Sequence, residues 1–116
     1  MARADRRALG ATGEQAAAGW YEANGYSVLA RNWRCRDGEL DLIVCHGRTV
    51  VFCEVKTRSG TAYGTPAEAV TREKQARIRR LAARWLAEAA PFRAAEIRFD
   101  VACVLDGAVE IIEGAF

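Results

Sequence analysis

The pattern of apolar and polar residues predicts two helices and five strands. We place the start of the first helix near Thr12, because its hydroxyl can cap and Gln15 lies three residues on, the spacing of a capping box. Ala17 and Tyr21 then fall on one helical face with Glu14, and the Asn-Gly pair at 24–25 ends the helix.

Alternating and continuous apolar runs predict the strands. The predicted strands lie at 26–32, 39–45, 49–57, 96–104 and 108–112. Short glycine-containing turns at 36–38, 46–48 and 106–107 connect neighbouring strands. The turn at 46–48 predicts a hairpin. Because residues 50–53 are all apolar, the third strand is expected to be central and covered on both faces.

A second helix is predicted from residue 66 or 67 to Ala89, before Pro91, because Ile78, Leu81 and Trp85 follow helical spacing. The order is therefore helix, three strands, helix, two strands. This order predicts an α/β fold with a mixed five-stranded sheet flanked by helices. We assign residues 10–116 to a single domain and residues 1–9 to a flexible basic tail.

Composition agrees with one small domain, since the chain has 116 residues and is 51% hydrophobic. No stretch reaches the roughly 18–20 apolar residues of a membrane span, and no apolar segment follows the basic N-terminus, so we expect no membrane association and a cytoplasmic protein. The four cysteines form no Cys-x-x-Cys pair and there is one histidine. A zinc site is therefore not expected, and the cysteines are interpreted as reduced structural residues.

The net charge is only +2, but its distribution is uneven. Six basic residues stand against one acidic residue between positions 72 and 84, so this segment carries +5 and the remainder −3. A basic helix of this kind suits a polyanionic partner, and it equally suits a solvated helix face.

Three charged residues interrupt the apolar strands. Strand alternation places Glu54 and Lys56 on a common face, and the hairpin sets Asp41 close to the region 53–55. Clustered carboxylates repel each other unless they are protonated or bridged by a cation, and Mg²⁺ prefers carboxylate and phosphate oxygens. The pattern therefore predicts an Mg²⁺ or Mn²⁺ site. The alternative is a Glu54–Lys56 surface ion pair on an edge strand.

Longer motifs carry a resemblance to a known family. The segments GEQAAAGWYEANGY, RNWRCRDGELDLI, FCEVKTR, YGTPAEAVTREKQ and RFDVACV, between about residues 10 and 104, resemble the YraN-like family of bacterial predicted endonucleases. That family belongs to the restriction-endonuclease-like superfamily and is similar to archaeal Holliday-junction resolvases. The resemblance implies that Asp41 and Glu54 bind metal, that Lys56 is the catalytic lysine, and that Glu14 supports the metal directly or through water.

Other residues are secondary candidates. Glu39 is interpreted as a neighbour that tunes the site, and Asp100 as a partner of Arg98. Lys74 either points towards the sheet or extends to solvent, and Gln75 resembles a helix glutamine of some resolvases. The predicted nucleic-acid-binding residues are Arg58, Lys74, Gln75, Arg77 and Arg80.

These observations favour a metal-dependent DNA endonuclease that acts on branched or otherwise structured DNA, with DNA favoured over RNA. Two alternatives stay open: a non-catalytic nucleic-acid-binding module, and a subunit of a DNA-processing complex on the same fold. A homodimer is plausible because a two-fold nuclease can cut two strands.

Overall fold

The computed structural model describes residues 3–58 and 70–116, with side chains in the first range described from Thr12 onwards. The elements are α1 (Arg3–Ala23), β1 (Ser27–Cys35), β2 (Gly38–His46), β3 (Thr49–Arg58), α2 (Arg72–Glu88), β4 (Glu96–Leu105) and β5 (Ala108–Ile112).

The five strands form one sheet in the order β1-β2-β3-β4-β5. The β3 and β4 strands are parallel, and the other neighbours are antiparallel. A parallel pair needs a crossover connection, and α2 lies within it. The predicted α/β class with a mixed five-stranded sheet is confirmed.

Helices cover the two faces of the sheet. On one face α2 packs Leu81 and Trp85 against Phe52 of β3, and on the other α1 packs Ala17 and Tyr21 against neighbouring strands. Residues 50–53 alternate between these two cores and are all buried, as the continuous apolar run predicts.

Both helix starts differ from the predictions. The first helix begins at Arg3, so part of the segment predicted as a tail is helical and Thr12 lies inside the helix. The segment from residue 3 to 9 is rich in Ala, Arg and Leu, which are strong helix formers, and this favours an earlier start.

The second helix begins at Arg72, and the predicted start at residue 66 or 67 is wrong. Thr71 is the N-cap, and its hydroxyl accepts a hydrogen bond from the Lys74 backbone N–H at 3.1 Å. The predicted loop at 59–66 lies outside the described residues. The strands match the predicted ones closely, except that β1 continues to Cys35 because it pairs with β2 as far as Gly38.

The α1 helix lies very close to β3. A Cβ atom added at Gly13 would overlap Thr57 Oγ1 and lie 3.0 Å from Thr57 Cβ. Glycine at this position therefore allows the helix to approach the strand, and the next residue, Glu14, is brought to the end of the sheet where β3 ends.

We expect Gly13→Ala to lower the free energy of unfolding by about 1–3 kcal/mol, since the added methyl group forces the helix away from β3. Gly19 lies in the same helix with nothing within 4 Å of an added Cβ. Gly19→Ala should therefore raise stability by about 0.5–1 kcal/mol. Denaturant unfolding measures both, and equal effects of the two changes would contradict the close-packing interpretation.

Candidate metal and nucleic-acid site

The hairpin of β2 and β3 separates at the candidate site. The backbone pairing runs from His46↔Thr49 to Leu42↔Cys53. Beyond that pair, Oδ2 of Asp41 accepts a hydrogen bond from the Val55 backbone N–H at 2.9 Å. A side chain thus takes the place of the neighbouring strand, while β3 remains paired with β4 as far as Arg58.

Three carboxylates meet at this separation. Glu14 of α1 and Glu39 and Asp41 of β2 each offer an oxygen, and these oxygens lie within 4.8 Å of one another. Glu39 also forms an ion pair with Arg34, whose Nε lies 3.2 Å from Glu39 Oε2. Glu39 is therefore a member of the acidic cluster as well as a neighbour of Asp41.

Glu54 lies beside this cluster and is paired with lysines. It is 8% exposed. Its Oε1 lies 2.6 Å from Nζ of Lys74 and 3.6 Å from Nζ of Lys56. Lys74 thus points towards the sheet, which resolves the alternative left open by the sequence. The Glu54–Lys56 pair is on a central strand, so the edge-strand interpretation is wrong.

Burial and mutual repulsion shift the acids towards their protonated forms. Burial raises the pKa of Asp41 to about 7, and the charge of Glu54 adds to this effect, although the Val55 hydrogen bond opposes it. Burial also raises the pKa of Glu14, with further repulsion from Glu39 and Glu54. The carboxylates are costly to ionise together in the absence of a cation.

The two lysines shift in opposite directions. Burial and then the neighbouring Lys74 lower the pKa of Lys56. Burial is the largest effect on Lys74 and acts to lower its pKa, but the interactions with Glu54, Lys56 and Asp41 together outweigh it and the net shift is upward. Lys74 therefore holds its proton beside Glu54, and Lys56 loses its proton more readily.

Two adjoining cavities connect the acids to the basic helix. One of about 270 Å³ is lined by Asp41, Glu54, Lys74 and Arg77, among others. The second, of about 330 Å³, is lined by Thr71, Glu73, Lys74, Arg77 and Arg80. Lys74 and Arg77 line both, so the acidic floor of the first cavity continues into a mainly cationic surface.

The other predicted binding residues have varied surroundings. The guanidinium of Arg58 donates to the Thr57 carbonyl at 3.0 Å, and the Gln75 amide donates to the Val70 carbonyl at 3.1 Å. Both side chains therefore support local backbone. Arg77 and Arg80 are exposed on α2.

The predicted Asp100–Arg98 pair is confirmed. Asp100 is fully buried and accepts two hydrogen bonds from Arg98 at 2.8 and 2.9 Å. Tyr21 Oη donates to it at 2.6 Å, and the Gly114 N–H at 3.0 Å. This acid has a full set of protein donors, which indicates a structural role.

The cysteines agree with their interpretation as reduced residues. Cys35, Cys45, Cys53 and Cys103 are free thiols. Burial raises the pKa of Cys53 to about 12, so it remains protonated at neutral pH. Trp85 lies in the core on the α2 face, where Trp33 is partly buried against it, and Trp20 is partly buried against the core on the α1 face.

Sequence reasoning missed Asn32. It has a φ of 50°, which is uncommon for a non-glycine residue in a strand, and its interaction with Glu14 acts to lower the pKa of that carboxyl. The only available signal was its residue type, since asparagine tolerates the left-handed region better than most residues.

Comparison with known proteins identifies the family. The sequence model of "Uncharacterised protein family UPF0102" matches residues 13–104. The chain belongs to the UPF0102 family. It is 61% identical over 98 residues to a UPF0102 protein of Beutenbergia cavernae, covering 84% of this chain and 82% of that protein. It is 58% identical over 114 residues to one of Frankia casuarinae, covering 94% and 96%.

The matched UPF0102 region includes every residue of the acidic cluster and both lysines. The resemblance to YraN-like proteins is consistent with this membership. Within the described residues, no helix has the length and apolar character that crossing a membrane requires.

The raised pKa of Asp41 predicts a pH-dependent stability. Its pKa is about 7 in the folded chain and about 3.9 when unfolded, so the folded state binds the extra proton between these values and stability falls as pH rises through them. In EDTA, Asp41→Asn should therefore raise the free energy of unfolding by about 1–3 kcal/mol at pH 8, but much less at pH 4.

Asp106→Asn is the matched control, because Asp106 is an exposed turn residue with a φ of 50° that asparagine accepts. Urea unfolding at the two pH values measures the effect. An Asp41→Asn variant that is no more stable than the wild type at pH 8 would contradict the assigned cost of ionising Asp41.

Proposed function

We propose that this protein is a Mg²⁺- or Mn²⁺-dependent DNA endonuclease that hydrolyses phosphodiester bonds in branched or otherwise structured DNA. The observation that carries the proposal is the set of Glu14, Glu39 and Asp41 oxygens within 4.8 Å of one another, next to the Glu54–Lys56 pair. The resemblance to YraN-like endonucleases supports it independently.

The donor set fits a hard divalent cation. All its ligand atoms are carboxylate oxygens, as Mg²⁺ and Mn²⁺ prefer. Oxygens around one Mg²⁺ lie roughly 3–4 Å apart, given bonds of about 2.1 Å, so small side-chain rotations would close the observed cluster. Asp41 and Glu14 would hold the ion, Glu39 is positioned to join them, and Glu54 would enter once Lys74 releases it.

A bound divalent ion would supply polarisation of the scissile phosphate and a water that ionises at neutral pH. The chain's own residues orient the reaction. Lys56, with its lowered pKa, lies where it can take a proton from the attacking water or stabilise developing negative charge. Lys74 and Arg77 line the cavity above the acids, where they would bind the phosphates of the substrate strand.

A non-catalytic nucleic-acid-binding module is the second candidate. The short Lys74–Glu54 contact favours it, because an internal ammonium already neutralises this buried acid. In the remaining cluster Glu39 is paired with Arg34, but among the described residues no ion pair involves Glu14 or Asp41, and this favours the metal-dependent enzyme.

Removing a site acid should abolish cleavage while the fold remains. We expect Asp41→Asn and Glu54→Gln each to reduce the cleavage rate by more than about 100-fold, and Lys56→Ala by a similar factor, since electrostatic and proton-transfer effects have this magnitude. The assay uses duplex, single-stranded, flap and four-way-junction DNA with Mg²⁺ or Mn²⁺. Asp106→Asn should cleave as the wild type does.

Wild-type protein that binds these DNAs in a salt-sensitive manner, yet cleaves none of them with either metal, would instead support the binding module.

The basic surface of α2 predicts salt-dependent DNA binding. Arg77→Ala and Arg80→Ala should each weaken binding and reduce the slope of log K against log salt by about one, because each removes one phosphate contact. Arg93→Ala is the control, since Arg93 precedes β4 at the end of the sheet where β3 begins. Fluorescence anisotropy at several salt concentrations measures the slopes. Equal slopes in all variants would indicate that DNA does not bind at this surface of α2.

A further inference from the structure

Asn32 has an unusual backbone conformation for its position in β1. Its φ is 50°, and the other non-glycine residue with positive φ in the described part of the chain, Asp106, lies in a turn. A left-handed residue within a strand is energetically unfavourable and persists only where its surroundings impose it. Such residues are enriched at functional sites.

Asn32 interrupts the pairing of β1 with β2 at the level of the acidic cluster. The pairs Arg31↔Leu42 and Trp33↔Leu40 are present on either side of it. By this register, the residue of β2 opposite Asn32 is Asp41. The interruption at Asn32 in β1 therefore lies next to the point where β2 separates from β3.

The amide of Asn32 reaches the first helix. Asn32 lies opposite Asp41 in the strand register, and a carboxylate oxygen of Asp41 lies within 4.8 Å of one from Glu14. The interaction of Asn32 with Glu14 acts to lower the pKa of that carboxyl. The adjacent Arg31 donates from Nη1 to Gln15 Oε1 at 2.6 Å. Two consecutive residues of β1 thus contact two consecutive residues of α1, and only the Asn32 contact involves an acid of the cluster.

We infer that Asn32 is a positioning residue, whose left-handed backbone aims its amide at Glu14 and holds that carboxylate towards the cation site. The inference rests on the proposed metal-dependent function. An amide N–H that binds one carboxylate oxygen leaves the other oxygen for the cation. Hydrogen-bond partners that orient metal ligands in this way contribute substantially to metal affinity.

Mn²⁺ binding measured by calorimetry tests this role without relying on catalysis. Asn32→Gly keeps the backbone conformation, which glycine adopts without strain, and removes only the amide. We expect it to weaken Mn²⁺ binding by about 10-fold, the lower end of the range for such partners. Gln15→Ala is the matched control: it removes the neighbouring contact between β1 and α1, and the Mn²⁺ affinity should not change.

A double variant separates positioning from general loosening. If Asn32 acts through Glu14, Asn32→Gly should have no further effect in a Glu14→Gln background. Additive losses, or an unchanged affinity in Asn32→Gly alone, would overturn the inference.

Asp41→Asn distinguishes this outcome from failure of the proposed function. If Mn²⁺ binding is lost in Asp41→Asn but retained in Asn32→Gly, only the inferred role of Asn32 is contradicted and the proposed metal site stands. Wild-type protein that binds no Mn²⁺, or binding that is unaffected by Asp41→Asn, would overturn the proposed metal site and the role of Asn32 with it.

Discussion

The separation of β2 from β3 after the Leu42–Cys53 pair is the constraint on which the candidate site depends. A continuous hairpin would pair the Val55 N–H with backbone, whereas here the Asp41 carboxylate accepts this hydrogen bond. One side chain therefore satisfies a partly buried donor at the point where the strands separate. The space so created admits Glu54 from one strand and Asp41 from the other, together with Lys74 from the second helix.

The sheet contains two kinds of acidic residue, and their surroundings distinguish an acid with a structural role from one with a candidate chemical role. Asp100 is surrounded by donors from Arg98, Tyr21 and Gly114, so its charge is fully compensated. Asp41 has one backbone donor, and burial, followed by the charge of its acidic neighbours, raises its pKa. Uncompensated charge of this kind destabilises the fold, and it is expected where a ligand supplies the missing charge.

Much of the fold followed from the sequence, because strand alternation and the apolar run at 50–53 are local patterns with a direct physical meaning. The proximity of Asp41 and Glu54 followed from the same hairpin. The membership of Glu39 in the cluster and the conformation of Asn32 could not be predicted, since both depend on where the strand pairs break. The start of α1 was also missed, because a good capping residue at Thr12 does not prevent a favourable preceding segment from being helical.

The position of Glu14 shows how the packing of the core determines the site. Glu14 reaches the acids of β2 only because the preceding residue, Gly13, allows α1 to lie against Thr57 at the end of β3. In the following turns of α1, Ala17 and Tyr21 hold the helix in place because they pack in the core between α1 and the sheet. The cluster therefore depends on three elements held by different contacts, and a loss of close packing at Gly13 would move an acid of the cluster without changing any of its residues.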